Sequence, residues 1–390
     1  MKLSVIIVSY NVRYYLQQCL DSVVRATRGM DADIWVVDNC STDDSVDYLR
    51  ERFPQVHFIA NEENVGFARA NNQAIRLSSG EYVLLLNPDT IVGEDVLNGC
   101  VRFLDSHPEA GATGTMMINR NGSFAMESRR GVPTPSTAFY KICGLCAMFP
   151  TSPRFGKYYM SYLDKNQSSE IEIISGAFFM LRRQALEEVG LLSEDYFMYG
   201  EDIDLSYSIT QRGWHNYYQP LRILHYKGES TRKTSFRYVH SFYNAMLIFF
   251  DRHFRRRYRL LSLLVRLAVV LKGAWEMLKQ QLLLLLRRRR CESSARSLLF
   301  IGTDEAMEAL LPICERANIQ VERIATDQEA LMRAQERTFN YITFQTGDGG
   351  TSYSDMLSQL QSLFDGGVDL HLGTFDLKNQ ILLLSDDICL

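Results

Sequence analysis

A single acidic residue and a later group of three have the chemistry of a reactive site. The first is Asp89, which comes three residues after the apolar run 82–86 and two residues after Asn87. Pro88 cannot donate a hydrogen bond to a strand ladder, so a strand should end there and leave Asp89 at its carboxyl end. A carboxylate and a neutral amide in that position suit a hard divalent cation that also carries phosphates. Taken alone, Asn-Pro-Asp is also typical of a plain turn.

The second group places Glu201, Asp202 and Asp204 within four residues, directly after an aromatic loop. Acidic residues at the start of a helix suit the helix dipole, which would explain one or two of them. Burial and neighbouring like charges raise the pKa of a carboxyl group towards the range of a general base. We therefore predict a functional role for at least one of the three. His225 ends another short apolar run, and it is either an ordinary histidine or a ligand of the same cation as Asp89.

Strands that alternate with helices should position these groups. The apolar patterns predict strands at 3–10, 34–37, 56–59 and 82–86, and the helix after the second strand should begin at 41–44 with Ser41 or Thr42 as its cap. This alternation predicts an α/β fold with a mostly parallel, doubly wound sheet. Ligands bind outside the carboxyl ends of such strands. Asp38 and Asp89 would both lie there, one for a base or ribose and the other for a metal on the phosphates.

The middle of the chain is less regular. From 114 to 169 the periodicity weakens, and the run from Arg129 and Arg130 to Pro135 predicts loops or short helices over the site. A strand is predicted at 172–181, where Gly176 indicates a bulge or a close approach of the backbone to a ligand. No Gly-x-Gly-x-x-Gly motif and no Gly-Lys-Ser/Thr loop is present, which argues against a dinucleotide enzyme and a nucleoside triphosphatase.

Composition allows two domains and one strongly basic segment. The chain has 390 residues and a net charge of −4. From Arg252 to Arg290 there are twelve Lys or Arg residues and one acidic residue, Glu276, so the remainder is acidic. Such a block predicts a local anionic partner, such as a phospholipid surface, and no nucleic acid. The pair Cys143 and Cys146 lacks a second pair, so we expect no zinc site. No secretion signal is recognisable, and we expect a cytoplasmic protein.

Six short motifs occur along the chain in this order: Val-Ser-Tyr-Asn at 8–11, Val-Asp-Asn at 37–39, Asn-Val-Gly-Phe-Ala-Arg-Ala-Asn-Asn-Gln-Ala-Ile at 64–75, Leu-Asn-Pro-Asp at 86–89, Ser-Gly-Ala-Phe-Phe-Met at 175–180 and Tyr-Gly-Glu-Asp-Ile-Asp-Leu at 199–205. Together they closely resemble family-2 glycosyltransferases of the bacterial rhamnosyltransferase-like group, over about residues 1–250. The resemblance implies a GT-A nucleotide-diphospho-sugar transferase fold. It also implies an inverting transfer from a nucleotide-sugar donor, with Mg2+ or Mn2+ as cofactor.

The resemblance implies a role for individual residues. Asp202 matches the catalytic base of the family's Glu-Asp motif, and Glu201 beside it would help to position the acceptor. Asp89 matches the metal-binding last Asp of an Asp-x-Asp motif, and His225 matches a histidine that touches the metal or diphosphate in some relatives. Asp38 would contact the nucleoside. The other motif residues expected to bind substrate or nucleotide are Ser9, Asn11, Asn64, Gly66, Asn72, Asn87 and Gly176.

Two departures refine this prediction. Asn87 stands where the general motif has its first Asp, so the metal would have fewer charged ligands and bind weakly until the donor arrives. The Gln-x-x-Arg-Trp signature of processive synthases is absent, which favours addition of a single sugar. The expected donor is dTDP-rhamnose or a UDP-sugar. The expected acceptor is a glycan, linked to polyprenyl diphosphate, in surface polysaccharide synthesis.

The rest of the chain divides into two further segments. Residues 255–292 predict a basic amphipathic helical linker, whose charges interrupt every apolar run before the length of a membrane span. It would lie on the inner face of the cytoplasmic membrane, or dock on its own protein or on a partner in a homodimer. Residues 293–390 predict a small α/β domain that loosely resembles the Rossmann-like domains attached to polyprenyl-phosphate sugar transferases. We interpret it as a regulatory or partner-docking module.

Two other functions are alternatives to glycosyl transfer, the function predicted for the glycosyltransferase domain at 1–254. A nucleotidyltransferase would need a Gly-rich loop bearing Lys or Arg after the first strand, and the residues after Ser9 lack one. A catalytically silent scaffold would bind the nucleotide-sugar and recruit partners through its C-terminal domain. Intact Asp89 and Asp202 disfavour the scaffold.

Overall fold

The computed structural model describes residues 1–227, 236–254, 296–336, 338–347, 349–385 and 388–390. The predicted basic segment 255–292 lies outside these ranges. No helix within them combines the length and the apolar composition that crossing a lipid bilayer requires.

A nine-stranded mixed sheet forms the N-terminal part. Its strands are β1 (Leu3–Ser9), β2 (Ala32–Asp38), β3 (His57–Ala60), β4 (Tyr82–Leu86), β5 (Thr90–Val92), β6 (Ala110–Ile118), β7 (Ser169–Ile171), β8 (Phe178–Arg182) and β9 (His215–His225). The order is β3-β2-β1-β4-β8-β6-β9-β5, and β7 pairs with β9. The first four strands are parallel, as predicted, and β6 is parallel to β9. The short strands β5 and β7 and the central β8 run antiparallel to their neighbours.

Helices cover both faces of this sheet. They are α1 (Arg13–Ala26), α2 (Ser45–Arg52), α3 (Phe67–Leu77), α4 (Val96–Ser106), α5 (Pro135–Ile142), α6 (Leu145–Met148), α7 (Arg183–Val189), α8 (Glu201–Gln211) and α9 (Phe236–His253), with 3-10 turns at Met126–Ser128 and Gly156–Tyr158. Successive residues of β4 alternate between two hydrophobic cores. Val83 and Leu85 lie in one, whereas Tyr82, Leu84 and Leu86 lie in the other. A strand buried on both faces reads as a continuous apolar run, which is why β4 was predicted at its observed bounds.

The predicted strand at 172–181 is wrong in its first half. Strand β7 ends at Ile171 and β8 begins at Phe178, so Gly176 lies in the connection and not inside a strand. The reason is that other groups take the backbone N–H groups of this connection. Ile174 donates to the Ser206 hydroxyl, and Gly176 donates to the Asp202 carboxylate.

The predicted helix start at 41–44 is also wrong. Helix α2 begins at Ser45, after Asp44 in the left-handed conformation. Ser41 does not cap it, because its backbone N–H and its hydroxyl both donate to the Asp38 carboxylate, at 2.8 and 2.6 Å. The Thr42 backbone N–H donates to the Asn11 side chain. These bonds hold 41–43 as a loop.

A second sheet forms the C-terminal domain. Its strands are β10 (Arg296–Ile301), β11 (Ile319–Ile324), β12 (Tyr341–Thr346), β13 (His371–Asp376), β14 (Ile381–Leu384) and β15 (Ile388–Cys389), in the order β11-β10-β12-β13-β14-β15. Its helices are α10 (Asp304–Arg316), α11 (Asp327–Glu336) and α12 (Tyr353–Asp365). The small α/β domain predicted for this part is confirmed.

The C-terminal domain packs directly on the first sheet's helices and strands. One hydrophobic core contains residues of both parts, including Ile118 and Leu360. The side chain of Gln18 lies buried between the two parts. It donates to the Thr374 hydroxyl at 2.6 Å and accepts from the Tyr226 hydroxyl at 2.8 Å. The C-terminal domain is therefore joined to the first sheet by apolar packing and by buried hydrogen bonds.

Glu94 caps a helix of the other domain, and its replacement should loosen that helix. Its carboxylate accepts the backbone N–H groups of Tyr353 and Ser354, at 2.9 and 2.8 Å, in the first turn of α12. Loss of a capping group costs about 1–2 kcal/mol. We expect Glu94→Ala to speed hydrogen exchange in the first turn of α12 by roughly 5–30-fold. Glu63→Ala, at an exposed loop position, is the control. Equal exchange in both variants would contradict the role of Glu94.

Candidate active site

Three polar side chains converge where β4 ends beside β9. Asn87 and Asp89 directly follow β4, and β5 then pairs with β9 so that Thr90 lies opposite His225. His225 Nε2 is 3.3 Å from Asp89 Oδ1 and 3.3 Å from Asn87 Nδ2. Asp89 is only 2% exposed. The pairing of β5 with β9 thus brings together residues that are 136 or more positions apart in the sequence.

The donor atoms of these three residues fit a divalent cation. Two ligands of one octahedral Mg2+ or Mn2+ ion lie about 3 Å apart, since each bond is about 2.1 Å long. The separation of the Asp89 and His225 atoms is close to that value. In the described ranges, no group of three or more His, Cys, Asp or Glu side chains could hold a metal. Further ligands would therefore have to come from Asn87 and from the phosphates of a substrate, as hard cations with few protein ligands require.

Asp202 lies on the other side of a short backbone bridge from this cluster. Its Oδ2 accepts hydrogen bonds from the Gly176 backbone N–H at 3.0 Å and from the Arg130 guanidinium at 2.8 Å. Its Oδ1 accepts from the Ile203 backbone N–H at 2.9 Å. One residue beyond Gly176, the Ala177 carbonyl accepts from the Asn87 backbone N–H at 3.1 Å. The two acidic groups found in the sequence therefore meet at one site.

Arg130 was not among the predicted site residues. The sequence showed only a pair of arginines in a loop predicted to cover the site, and pairing with Asp202 depends on a contact across 72 residues. The Arg130 side chain is largely buried, which lowers its pKa, but Asp202, Tyr158 and Glu127 together outweigh burial, so the pKa of Arg130 is raised. Arg130 therefore places a fixed positive charge against Asp202.

Glu201 and Asp204 flank Asp202 and differ from it in their surroundings. Burial, and secondarily the neighbouring Asp202, raise the pKa of Glu201 to about 8. Its Oε2 has no hydrogen-bond partner among the described residues. Asp204 accepts from His253 at 2.6 Å and lies 3.5 Å from the Arg252 guanidinium. Asp204 therefore fixes the end of α9 on the start of α8.

Four of the predicted nucleotide-binding residues lie at the ends of β1 and β2 or directly before α3. Asp38 is buried and holds Ser41, as described above. Asn11 has a positive φ of 53° and accepts from Thr42. The hydroxyl of Ser9 is buried and has no partner among the described residues. Gly66 has a φ of +85°, and a Cβ there would lie 2.7 Å from the Phe197 carbonyl oxygen.

Asn64 and Asn72 hold backbone segments in this structure. The Asn64 side chain accepts from the Gly66 backbone N–H at 3.1 Å. Asn72 is buried and bonds both the carbonyl and the N–H of Leu192, at 2.9 and 3.1 Å. It also donates to Glu194 at 3.1 Å. The motif at 64–75 thus fixes the loop that precedes the acidic group at the start of α8.

Lys227 lies two residues after His225 and was missed by the sequence analysis. Its ammonium is 2.6 Å from Glu127. Burial raises the pKa of Glu127, but the charge and hydrogen bond of Lys227, together with smaller contributions that include Arg130, outweigh burial, so the net pKa is lowered. The pair joins the end of β9 to the segment that carries Arg130.

Residues 4–190 match the family model described as glycosyl transferase family 2. This part of the chain is a family 2 glycosyltransferase domain. An N-acetylglucosaminyl-diphospho-decaprenol L-rhamnosyltransferase of Mycobacterium tuberculosis is 27% identical over 264 residues, which cover 64% of this chain and 85% of the relative. The low-salt glycan biosynthesis hexosyltransferase Agl10 of Haloferax volcanii is 26% identical over 209 residues, covering 53% and 60%.

Several solved structures are similar to this chain at low sequence identity. A mannosyltransferase from Pyrobaculum calidifontis in complex with GDP-Man and Mn2+ is 17% identical, with a TM-score of 0.46, over 75% of this chain and 76% of that one. TarS 1–349 of S. aureus is 18% identical, with a TM-score of 0.42, over 64% of each chain. The family assignment and the mixed sheet confirm the predicted α/β fold of the glycosyltransferase domain, followed by a C-terminal sheet domain.

The raised pKa of Glu201 predicts a pH dependence of stability for the glycosyltransferase domain. The pKa rises from 4.5 to about 8 on folding, so between these values the native state keeps a proton that the unfolded chain has lost. The free energy of unfolding should therefore fall as pH rises, with a slope of up to about 1.4 kcal/mol per pH unit. Glu201→Gln resembles the protonated acid and should remove this contribution. Urea unfolding near pH 5.5 and pH 7.5 measures it, and Glu187→Gln, at an exposed position, is the control. A slope unchanged by Glu201→Gln would contradict the prediction.

Proposed function

We propose that the chain is an inverting, metal-dependent glycosyltransferase that adds one sugar from a nucleotide-diphospho-sugar to a lipid-linked glycan acceptor. One observation carries the proposal. Asp89 and Asp202 lie on either side of the bridge between Asn87 and Gly176, and Asp89 lies within residues 4–190, which match the family model described as glycosyl transferase family 2. A site for a cation with phosphates thus adjoins a carboxylate that accepts protons. The transfer of a sugar from a diphosphate to a hydroxyl group needs both.

On the donor side, Asn87, Asp89 and His225 would hold Mg2+ or Mn2+. When bound, the ion supplies positive charge against the negative charge that develops on the leaving diphosphate. The loops at the ends of β1 and β2, with Ser9, Asn11 and Asp38, would hold the nucleoside. In α/β proteins, ligands bind outside the carboxyl ends of the parallel strands, which is the end of the sheet where these loops lie.

On the acceptor side, Asp202 would act as the general base. The acceptor oxygen forms a bond to the anomeric carbon from the face opposite the diphosphate, while the bond from that carbon to the phosphate oxygen breaks. Asp202 takes the hydroxyl proton, and the diphosphate leaves with the bonding electron pair. The Gly176, Ile203 and Arg130 donors keep the Asp202 carboxylate in one orientation. Protonated Glu201 would avoid a second negative charge beside Asp202.

The names of the relatives support a donor and an acceptor class. The rhamnosyltransferase relative acts on N-acetylglucosaminyl-diphospho-decaprenol, which supports dTDP-rhamnose, or otherwise a UDP-sugar, as donor and a polyprenyl-diphosphate-linked glycan as acceptor. Such an acceptor lies at a membrane. We propose that the chain works on the inner face of the cytoplasmic membrane in surface polysaccharide synthesis, with residues 255–290 contributing basic charge.

The test is transfer to a synthetic acceptor. The full chain would be incubated with a short polyprenyl-diphosphate-linked N-acetylglucosamine, one nucleotide-sugar at a time, and Mg2+ or Mn2+. We expect a mass gain of one sugar from one donor, an inverted anomeric configuration by NMR, and no product after chelation of the metal. Donor binding without transfer or hydrolysis would instead identify a sugar-nucleotide-binding scaffold.

A further inference from the structure

Helices α5 and α6 and the following Phe149 form an exposed structure that we call the apolar hairpin (135–149). Phe139 and Ile142 are each 57% exposed, Met148 is 68% exposed and Phe149 is 47% exposed. Single exposed apolar residues are ordinary on a protein surface. Here, four of the twelve exposed large apolar side chains of the described ranges fall within eleven residues. A cluster of this kind marks a surface that binds something apolar.

The hairpin is held in shape by contacts beneath it. Thr134 caps α5 by accepting from the Thr137 backbone N–H, and the Thr137 hydroxyl donates to the Val132 carbonyl at 2.8 Å. The rings of Tyr140 and Phe149 pack against Phe155, with centroids 5.1 and 5.5 Å away. The hydrogen bonds and ring contacts beneath the hairpin therefore fix the backbone that carries the exposed side chains.

The hairpin and its flanking sequence carry charge of one sign, and Glu172, an acidic neighbour at the base of the hairpin, is paired with Lys157 at 2.9 Å. Between Glu127 and Asp164 the sequence has no acidic residue and five basic ones. Two of these, Lys141 and Arg154, are exposed on or beside the hairpin. Lys141 lies 3.8 Å from the centroid of the Tyr158 ring, and Arg154 donates to the Tyr140 hydroxyl. Exposed apolar side chains next to cations and tyrosines are typical of protein surfaces that bind at the boundary between the acyl chains and the anionic headgroups of a bilayer.

The position of the hairpin also favours a membrane. Phe249, Phe250 and Phe254, at the end of α9, pack with Val132 three residues before α5 begins. In the sequence, the basic segment 255–290 directly follows Phe254. Arg130, which contacts Asp202, lies five residues before α5 and therefore within about 18 Å of its first residue. The hairpin and the site are thus neighbours in the structure.

We propose that the apolar hairpin inserts into the headgroup boundary of an anionic membrane and so brings the Asp202 side of the site to the lipid surface. The binding partner of the apolar hairpin in this proposal is the lipid bilayer. The charge of 128–163 and the continuity with the basic segment favour it over a second copy of the chain, for which an interface of one sign would be repulsive. That the surface presents the acceptor rests on the proposed function, whereas the membrane contact does not.

Sedimentation with vesicles tests the proposal on the full chain. The test variant carries Phe139→Ser, Met148→Ser and Phe149→Ser, and the matched control carries Leu77→Ser, Leu311→Ser and Met332→Ser at exposed apolar positions elsewhere. We expect the wild type and the control to bind vesicles containing phosphatidylglycerol at least tenfold more tightly than the test variant does. Vesicles of phosphatidylcholine alone should bind all three weakly.

Three results would overturn the proposal: no wild-type binding to anionic vesicles, equal binding by the test variant, or a wild-type oligomer that the test variant alone loses. Thermal stabilisation by nucleotide-sugar, measured on the same three proteins, separates this proposal from the proposed function. Loss of vesicle binding with donor stabilisation intact is the expected pattern. Vesicle binding without any donor stabilisation would leave the membrane contact standing and reject the proposed function.

Discussion

Asp202→Asn should lower kcat for sugar transfer by roughly 10²–10⁴-fold, the usual contribution of a general base. The amide has nearly the size of the carboxylate and can still accept from Gly176, so the connection between β7 and β8 should keep its shape. It cannot take the proton of the acceptor hydroxyl. Donor affinity should stay within about threefold, because Asp202 faces the acceptor. Initial rates and donor titrations measure the two quantities.

The control for this variant is Asp195→Asn. Asp195 lies in the loop before α8, and its side chain is 75% exposed. The same change of a carboxylate to an amide there should leave kcat within about twofold, since the site is untouched. If Asp202→Asn kept more than a third of the wild-type kcat, Asp202 would not be the base. Glu201 would then be the next candidate.

Asp89→Asn should abolish metal-dependent donor binding. The substitution leaves two amides and one imidazole at the end of β4, and hard divalent cations bind carboxylates far better than amides. We expect the affinity for Mn2+, in the presence of a nucleoside diphosphate, to fall at least tenfold by electron paramagnetic resonance. Transfer should fall with it. Without metal, the weak donor binding of the variant and of the wild type should be equal.

A pair of histidine variants on β9 provides the matched control. His225 ends the strand beside Asp89, whereas His215 begins it and pairs with Glu170 at 2.9 Å. We expect His225→Gln to weaken Mn2+ binding and His215→Gln to leave it unchanged. Unaltered Mn2+ affinity in both Asp89→Asn and His225→Gln would place the metal elsewhere.

The positions of the parallel strands could be predicted because they depend on local sequence. Strand β4 was predicted at its observed bounds, since both of its faces are buried and Pro88 stops the ladder. The strands predicted at 3–10, 34–37 and 56–59 lie within two residues of the observed bounds of β1, β2 and β3. For 293–390 the sequence predicted a small α/β domain, and the structure has a sheet with helices there.

The errors have a common cause in long-range contacts. Ser41 is a good cap by type, but the Asp38 carboxylate at the end of β2 competes for its hydroxyl and backbone N–H. The strand expected at 172–181 is interrupted because Ser206 and Asp202, from a helix about thirty residues later, take its N–H groups. Neither competitor could be identified before the fold was known.

The roles of the candidate site residues stay predictions, and the sequence pointed to those residues but not to their supports. Asp89 and His225 stand out because they follow or end apolar runs, where ligands bind in α/β sheets, and Asp202 stands out because it lies among three acidic residues. The partners Arg130, Lys227 and His253 lie 49 to 100 positions from Asp202, Glu127 and Asp204, the groups that they contact, so no spacing rule finds them. The docking of the C-terminal domain through Gln18 and Glu94 is likewise invisible in the sequence.

Thermal stabilisation of the full chain by nucleotide-sugars, with and without Mn2+, tests the central claim most directly. A ligand at a hundredfold excess over its Kd adds about 2.7 kcal/mol to the free energy of unfolding. The account predicts that one member of a panel of dTDP-, UDP- and GDP-sugars stabilises the chain only with Mn2+, and that Asp89→Asn removes the effect. Stabilisation by no donor, or equal stabilisation with and without Mn2+, would contradict a metal-dependent donor site at Asn87, Asp89 and His225.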